Sequence, residues 1–312
     1  MEYRTLGHTQ LRVSEIGFGG WQLCNDAAWG AMTPSTAHAL ISHALEAGIN
    51  LFDTAPNYAA GGSESALGDA LCGVRDQVVL VSKFGHTREG ETDFSLPAFR
   101  ASLEGSLARL QTDYLDLLLL HNPPAAMQAA DHPIWDAMRG ARERGRIRYF
   151  GASVDTPGDA SAFAQTGCQV LEVLFNILQQ QVRHAFPMLA ERGIGIITKV
   201  PLDSGWLSGR YSADSRFEGI RSRWTPDEIT RRSRLVDQLE WLTEDGSELA
   251  HHALAFNLSY PEVGCAIPGM RTHEHLRSNV AAAGRHLSTD TRQRLEHFWD
   301  TETGKGIHPL PW

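Results

Sequence analysis

Eight short apolar runs recur along the chain, at 16–20, 50–53, 78–83, 114–121, 146–153, 170–175, 194–200 and 263–268. Between and after them lie stretches of helical character, near 34–47, 63–72, 95–110, 132–144, 157–165, 184–192, 227–258 and 272–283. The short runs are near-continuous rather than alternating, which is how strands read when a parallel sheet is covered on both faces. A doubly wound open sheet would be expected to have five or six strands. Eight units in about 270 residues predict an α/β protein of the (β/α)8 TIM-barrel type. Ser63, Ser95 and Thr225 (with Pro226 next) are expected to cap helices, and Gly48 and Gly193 to end them. Residues 3–6 and 11–13 flank Gly7-His8-Thr9-Gln10 and predict an N-terminal β-hairpin over one barrel end. Two long irregular stretches, 22–33 and 202–225, are expected to serve the active site. No low-complexity linker interrupts the pattern, so 1–312 is read as a single domain.

Charge narrows the partners. Acidic residues outnumber basic ones, 37 to 28, for a net charge of −9. Nucleic acid and anionic membrane surfaces both need a basic face, so neither is expected as a partner. Residues 1–15 hold no apolar signal core, and runs such as 117–120 are far short of the roughly 20 residues of a membrane helix. Cys24, Cys72, Cys168 and Cys265 lie far apart, as reduced thiols of a cytoplasmic protein would. His251-His252 and His273-Glu274-His275 lack metal-ligand spacing, and no metal site is expected. Gly17-Phe18-Gly19-Gly20 does not complete GxGxxG, and neither a P-loop nor GxSxG occurs.

The basic residues are themselves lopsided. Three of the 28 are lysines (Lys83, Lys199 and Lys305), and the others are arginines. Lys83 and Lys199 end apolar runs, where a barrel carries its chemistry. The neighbouring strand ends supply Asp53, His121 and Ser153, and Tyr58 follows Asp53 after a proline-containing loop. A lysine closing Val78-Val79-Leu80-Val81-Ser82 must be paired if buried, and Asp53 is the expected partner. An ammonium beside a phenol favours the tyrosinate, so Lys83 is expected to lower the pKa of Tyr58 towards neutrality. His121 would donate a hydrogen bond to a carbonyl oxygen. Such a set delivers a proton to a developing alkoxide, and the hydride must come from a cofactor.

These residues carry a family resemblance. The relevant segments are Tyr3-Arg4-Thr5-Leu6-Gly7, Phe52-Asp53-Thr54-Ala55-Pro56-Asn57-Tyr58, Gly61-Gly62-Ser63-Glu64, Val81-Ser82-Lys83-Phe84-Gly85, and Asp113-Tyr114-Leu115-Asp116-Leu117 leading to His121. Val200-Pro201-Leu202-Asp203-Ser204-Gly205 and Ala266-Ile267-Pro268-Gly269 follow. Over nearly its whole length the chain resembles the aldo-keto reductases, in particular bacterial members similar to potassium-channel β subunits. The resemblance implies an NAD(P)H-dependent carbonyl reductase with a tetrad of Asp53, Tyr58, Lys83 and His121, Tyr58 being the general acid. It implies cofactor contacts from Gly20, Trp21, Ser153, Glu172, Pro201, Leu202, Ser204, Gly205, Gly269, Arg271, His275 and Asn279.

Several positions depart from the family pattern, among them Gly269, Met270 and His275, where many members carry Lys, Ser and Arg. Val154 replaces an asparagine and Glu172 a glutamine in the set that holds the nicotinamide carboxamide, and a carboxylate accepts but cannot donate. Lys199 stands where many members stack an aromatic ring on the nicotinamide, and Trp206 is the expected substitute. At the phosphate end, Arg271 is expected to meet a 2′-phosphate, which makes NADP the expected cofactor and NAD the alternative.

Trp21, Trp29, Asn122 and Trp206 are expected to line the substrate pocket, with Trp224 and Trp312 as further candidates. The expected substrate is a small carbonyl compound or sugar. Two other readings stay open at this point: a Schiff-base aldolase using Lys83 or Lys199, and a cofactor-binding regulatory subunit with little turnover.

Overall fold

The computed structural model describes residues 1–303, so Lys305 and Trp312 lie outside the described residues. Strands β1 (Tyr3–Thr5) and β2 (Arg12–Ser14) form the expected antiparallel hairpin. Eight parallel strands follow in chain order: β3 (Phe18–Gly19), β4 (Leu51–Asp53), β5 (Val79–Phe84), β6 (Leu115–His121), β7 (Ile147–Val154), β8 (Val170–Leu174), β9 (Gly195–Lys199) and β10 (Val263–Ile267). Two parallel bridges, Ile16 to Ala266 and Gly19 to Gly269, join the first of these to the last and close the ring. This is the (β/α)8 barrel that the eight runs predicted.

Strand alternation explains where the chemistry lies. Side chains point inward at every second residue. Leu51, Val79, Val81, Leu117, Leu119, Val170, Ile197 and Cys265 share one buried cluster with Leu6, Leu11 and Val13 of the hairpin segment. That cluster fills the barrel and seals its N-terminal end. The opposite parity, including Phe52, Leu80, Leu118, Leu120 and Ile196, packs in the larger cluster under the helices. One more inward step along each strand leads from Leu51 to Asp53, Val81 to Lys83, Leu119 to His121, Gly151 to Ser153, Val170 to Glu172 and Ile197 to Lys199. The polar groups are therefore the top layer of a series whose lower layers are apolar. Gly151 has no room for a side chain, because a Cβ there would lie 1.7 Å from the Val170 carbonyl oxygen.

The helices start as their sequences direct. Ser95 and Thr225 accept bonds from backbone N–H groups three residues on, and Thr225 with Glu228 forms a capping box. Ser63 does otherwise: it lies inside helix Gly62–Leu71 and donates to the Gly20 carbonyl at 2.9 Å. The stretch expected as one helix over 227–258 is two, Pro226–Asp237 and Leu249–Leu258, broken around Asp245-Gly246-Ser247. A further helix, Thr289–Phe298, begins at the Ser288 cap.

Candidate active site

Lys83 is fully buried, so its ammonium must be neutralised within the protein. It makes a very short hydrogen-bonded ion pair with Asp53, donates to the Thr54 carbonyl at 3.2 Å, and stands 3.4 Å from Glu172 Oε2. The expected Asp53 partnership is present, and Glu172 is a second carboxylate on the same ammonium. Lys83 Nζ lies 5.2 Å from the centre of the Tyr58 ring. Tyr58 and His121 meet edge to face at 5.8 Å, and His86 and His121 also meet edge to face, at 4.8 Å. Asp53, Tyr58, His86 and His121 all line one cavity of about 390 Å³.

Burial sets the protonation states. It opposes charging Lys83, but Asp53 and Glu172 more than compensate and keep it an ammonium. Desolvation pushes the Tyr58 phenol well above its usual pKa, and the opposing pull of Lys83 does not overcome it. The expectation that Lys83 tunes Tyr58 towards neutrality is therefore corrected: the phenol keeps its proton at neutral pH. Burial, then Lys83, Lys199 and His86, holds His121 well below the usual histidine range, so its ring is neutral. Its Nδ1 is buried with no hydrogen-bond partner among the described residues. An orphaned lone pair costs less than an orphaned N–H, which assigns the proton to Nε2. Burial, then repulsion from Glu172, raises the pKa of Asp53, while the Lys83 ammonium pulls it down and keeps the ion pair.

The opposite wall has its own lysine. His121, Ser153 and Glu172 are register partners across β6, β7 and β8. Ser153 donates to Glu172 Oε1 at 2.8 Å. Lys199, one pleat higher, donates to Ser153 Oγ at 2.9 Å and Asn122 Oδ1 at 3.2 Å, and pairs with Asp155 at 2.8 Å. Glu172 Oε2 has its ion pair with Lys83 but no hydrogen bond among the described residues.

The remaining expected contacts divide. Trp21, Trp29, Asn122, Glu172, Pro201, Leu202, Ser204, Gly205, Gly269, His275 and Asn279 line the cavity. Ser153 lies behind the lining, and so does Gly20, where a Cβ would lie 2.5 Å from the Asp53 carbonyl oxygen. Trp206 is corrected. It is completely buried among Tyr211, Phe217 and Trp224, so it anchors the 202–225 loop instead of facing a ligand. Trp224 is buried in the same cluster. Arg271 does not line the cavity: its Nη2 donates to the Gly30 and Ala31 carbonyls at 2.9 and 3.2 Å. It braces the first long loop.

The 202–225 loop carries Arg210, Arg216, Arg221 and Arg223, and Arg221 is the one that bridges the two long loops. Its guanidinium lies over Trp29 at 4.5 Å and Tyr211 at 5.2 Å, joining the two long loops at the cavity. Its Nε is buried without a hydrogen-bond partner among the described residues. His86 and Asn57, also lining, were not expected from the sequence. Each sits close after a strand end, which is the one signal that could have found them.

These groups fit a nicotinamide dinucleotide. The unbonded Glu172 oxygen can accept from a carboxamide NH2, and Arg221 and Arg210 present donors suited to phosphate oxygens. No group of three or more His, Cys, Asp or Glu side chains able to hold a metal occurs among the described residues. No helix among them is long and apolar enough to cross a membrane.

Comparison with known proteins agrees. Residues 15–300 match the model of the Aldo/keto reductase family. L-Galactose dehydrogenase of Arabidopsis thaliana is 27% identical over 293 residues, covering 90% of this chain and 88% of that protein. A probable voltage-gated potassium channel subunit beta of Oryza sativa subsp. japonica is 28% identical over 307 residues, covering 90% and 91%. The holo form of an aldo-keto reductase from Bacillus halodurans superposes with a TM-score of 0.80 at 27% identity, covering 96% of each chain. The chain thus belongs to the aldo/keto reductase family and is an NAD(P)-dependent oxidoreductase.

Proposed function

We propose that this protein reduces the carbonyl group of a small aldehyde, ketone or sugar, with Tyr58 as proton donor, and that in reverse it oxidises the corresponding alcohol. The observation that carries this reading is the meeting of a protonated Tyr58 and a neutral His121 in one cavity, backed by the charge-balanced Lys83. The bound nicotinamide supplies the hydride. His121 Nε2–H donates to the carbonyl oxygen and polarises it. Tyr58 passes its proton to that oxygen as the carbon is reduced. Lys83, 5.2 Å from the ring, stabilises the phenolate left behind. Oxidation would start from the tyrosinate that reduction leaves behind, and the substrate pair and cofactor ratio set the direction.

Glu172 accepts from the carboxamide, and Arg221 and Arg210 attract the cofactor phosphates. The proposed cofactor is NADPH or NADH, since Arg271 turns to the Gly30 and Ala31 carbonyls, in a protein of the cytoplasm acting as one domain. A Schiff-base mechanism needs an uncharged amine. Lys83 is kept charged by two carboxylates, and Lys199 is ion-paired with Asp155. A purely regulatory role would not require the tetrad.

The test follows NAD(P)H absorbance with purified protein and a panel of aldehydes, ketones and sugars. Tyr58→Phe should still quench tryptophan fluorescence on binding cofactor while losing about 10²–10⁴-fold in turnover. Full turnover by that variant would overturn the reading.

A further inference from the structure

We propose that Asn122 is a specificity-determining residue whose Nδ2 donates a hydrogen bond to an oxygen on the carbon next to the reacting carbonyl. Lys199 is the positioning residue that holds the amide in that orientation. The preferred substrates are then α-oxo and α-hydroxy carbonyl compounds. This rests on the carbonyl-reductase reading above and adds a substrate class to it.

The argument begins with what an ammonium can do. It has donors only. Lys199 Nζ lies 3.2 Å from Asn122 Oδ1, 2.9 Å from Ser153 Oγ and 2.8 Å from Asp155 Oδ1. Each of these partners must present an acceptor. Ser153, accepting from Lys199, has its one proton left for Glu172 Oε1 at 2.8 Å. Asn122 must turn Oδ1 to Lys199, which leaves both Nδ2 protons on the other side of the amide. No described residue accepts from Asn122 Nδ2, and the side chain lines the catalytic cavity. An asparagine amide often has two nearly equivalent orientations; here the ammonium selects one. Its positive charge also polarises the amide and strengthens the N–H groups as donors.

The backbone holds Asn122 in place. It follows His121 directly and adopts φ of 50°, a left-handed conformation that asparagine tolerates better than most residues. Its N–H donates to the Ser153 carbonyl at 3.0 Å, extending the β6–β7 ladder by one rung. Two donors from consecutive residues, His121 Nε2 and Asn122 Nδ2, therefore face one cavity. A substrate with oxygens on adjacent carbons can use both. Asp155 balances the charge of Lys199, so a neutral oxygen is what the amide recognises.

The test compares kcat/KM for propanal, 2-hydroxypropanal and 2-oxopropanal, which differ by one oxygen at the second carbon. Asn122→Ala should lower the preference for either oxygenated substrate over propanal by about three- to tenfold. Lys199→Met should lower it similarly, because the amide is freed to turn. Lys199→Arg, still a donor only, should retain it, which a merely structural role for Lys199 would not predict. Asn122→Asp separates donor from acceptor. It should lose the preference for 2-oxopropanal, which can only accept, while keeping part of that for 2-hydroxypropanal, which can also donate. Reduction of all three substrates with preferences unchanged in Asn122→Ala and Lys199→Met would overturn the inference alone. Absence of hydride transfer to any of them would overturn the carbonyl-reductase reading as well.

Discussion

The two walls of the cavity each carry a lysine, and they manage its charge differently. On the wall built from β4, β5 and β6, the Lys83 and Asp53 side chains are 0% and 4% exposed, and Glu172 from across the barrel completes the neutralisation. On the wall built from β7, β8 and β9, Lys199 is 9% exposed but its partner Asp155 is 32% exposed. One ion pair is sealed; the other reaches solvent. A sealed pair is costly to break because the surviving charge has nowhere to go. A pair at the edge can rehydrate. The first wall is thus built for rigidity, whereas the second can vary without loss of the fold, which suits it to setting specificity.

The largest effect should come from breaking the sealed pair. Lys83→Met leaves two buried carboxylates unpaired and should cost about 3–5 kcal/mol of stability. Lys199→Met should cost about 1 kcal/mol. Denaturant unfolding of both variants checks the ranking, and equal losses would erase the distinction between the walls. A smaller effect sharpens how the walls communicate. His121 sits well below its ordinary pKa, partly because Lys199 faces it. The folded protein therefore refuses a proton that the unfolded chain takes up below about pH 6.5. The His121 contribution to stability is intact above that pH and is lost as pH falls towards the depressed value. The acid limb of kcat/KM belongs to the same titration. Removing Lys199 should move it to higher pH, whereas an unmoved limb would mean that the lysine is screened from the imidazole.

The smallest effect concerns a residue on neither wall. Arg271→Ala removes a brace on Gly30 and Ala31 and should weaken NADPH and NADH alike, by about two- to fivefold. A loss confined to NADPH would instead put Arg271 on the 2′-phosphate.

Much of the barrel was legible because its strands are apolar runs, several of them carrying a polar residue at or near the C-terminal end. Asp53, Lys83 and His121 could be found that way, and the Asp53–Lys83 pair followed from the cost of a buried charge. Other features depend on what surrounds a residue rather than on its neighbours in sequence. Tyr58 carries no mark in the sequence showing that desolvation would outweigh Lys83. Trp206 lies in a loop, yet three other aromatic residues bury it completely. Arg271 has the right position for a phosphate ligand, but the first long loop folds back within its reach. Lys199 stood out by composition, but its meaning depended on Asp155, two residues beyond Ser153 on another strand. The break in 227–258 was foreshadowed by Asp245-Gly246-Ser247, a turn signal outweighed by the apolar spacing on either side.

The ring is closed by a seam. Glycines, rather than a long ladder, join its two edges: a Cβ on Gly17 would lie 2.8 Å from Cys265 Sγ, and one on Gly19 would lie 2.9 Å from the Ile267 carbonyl oxygen. The backbone bonds there are few, from Gly17 to Ala266, Gly19 to Pro268 and Ala266 to Glu15. Local opening of a folded protein starts where cooperative pairing is thinnest. Here that place borders Gly269 and Gln22, on the lining of the cavity itself. A molecule spanning the cavity would touch both edges of the seam, so hydrogen exchange at these three amides should slow when the cavity is filled.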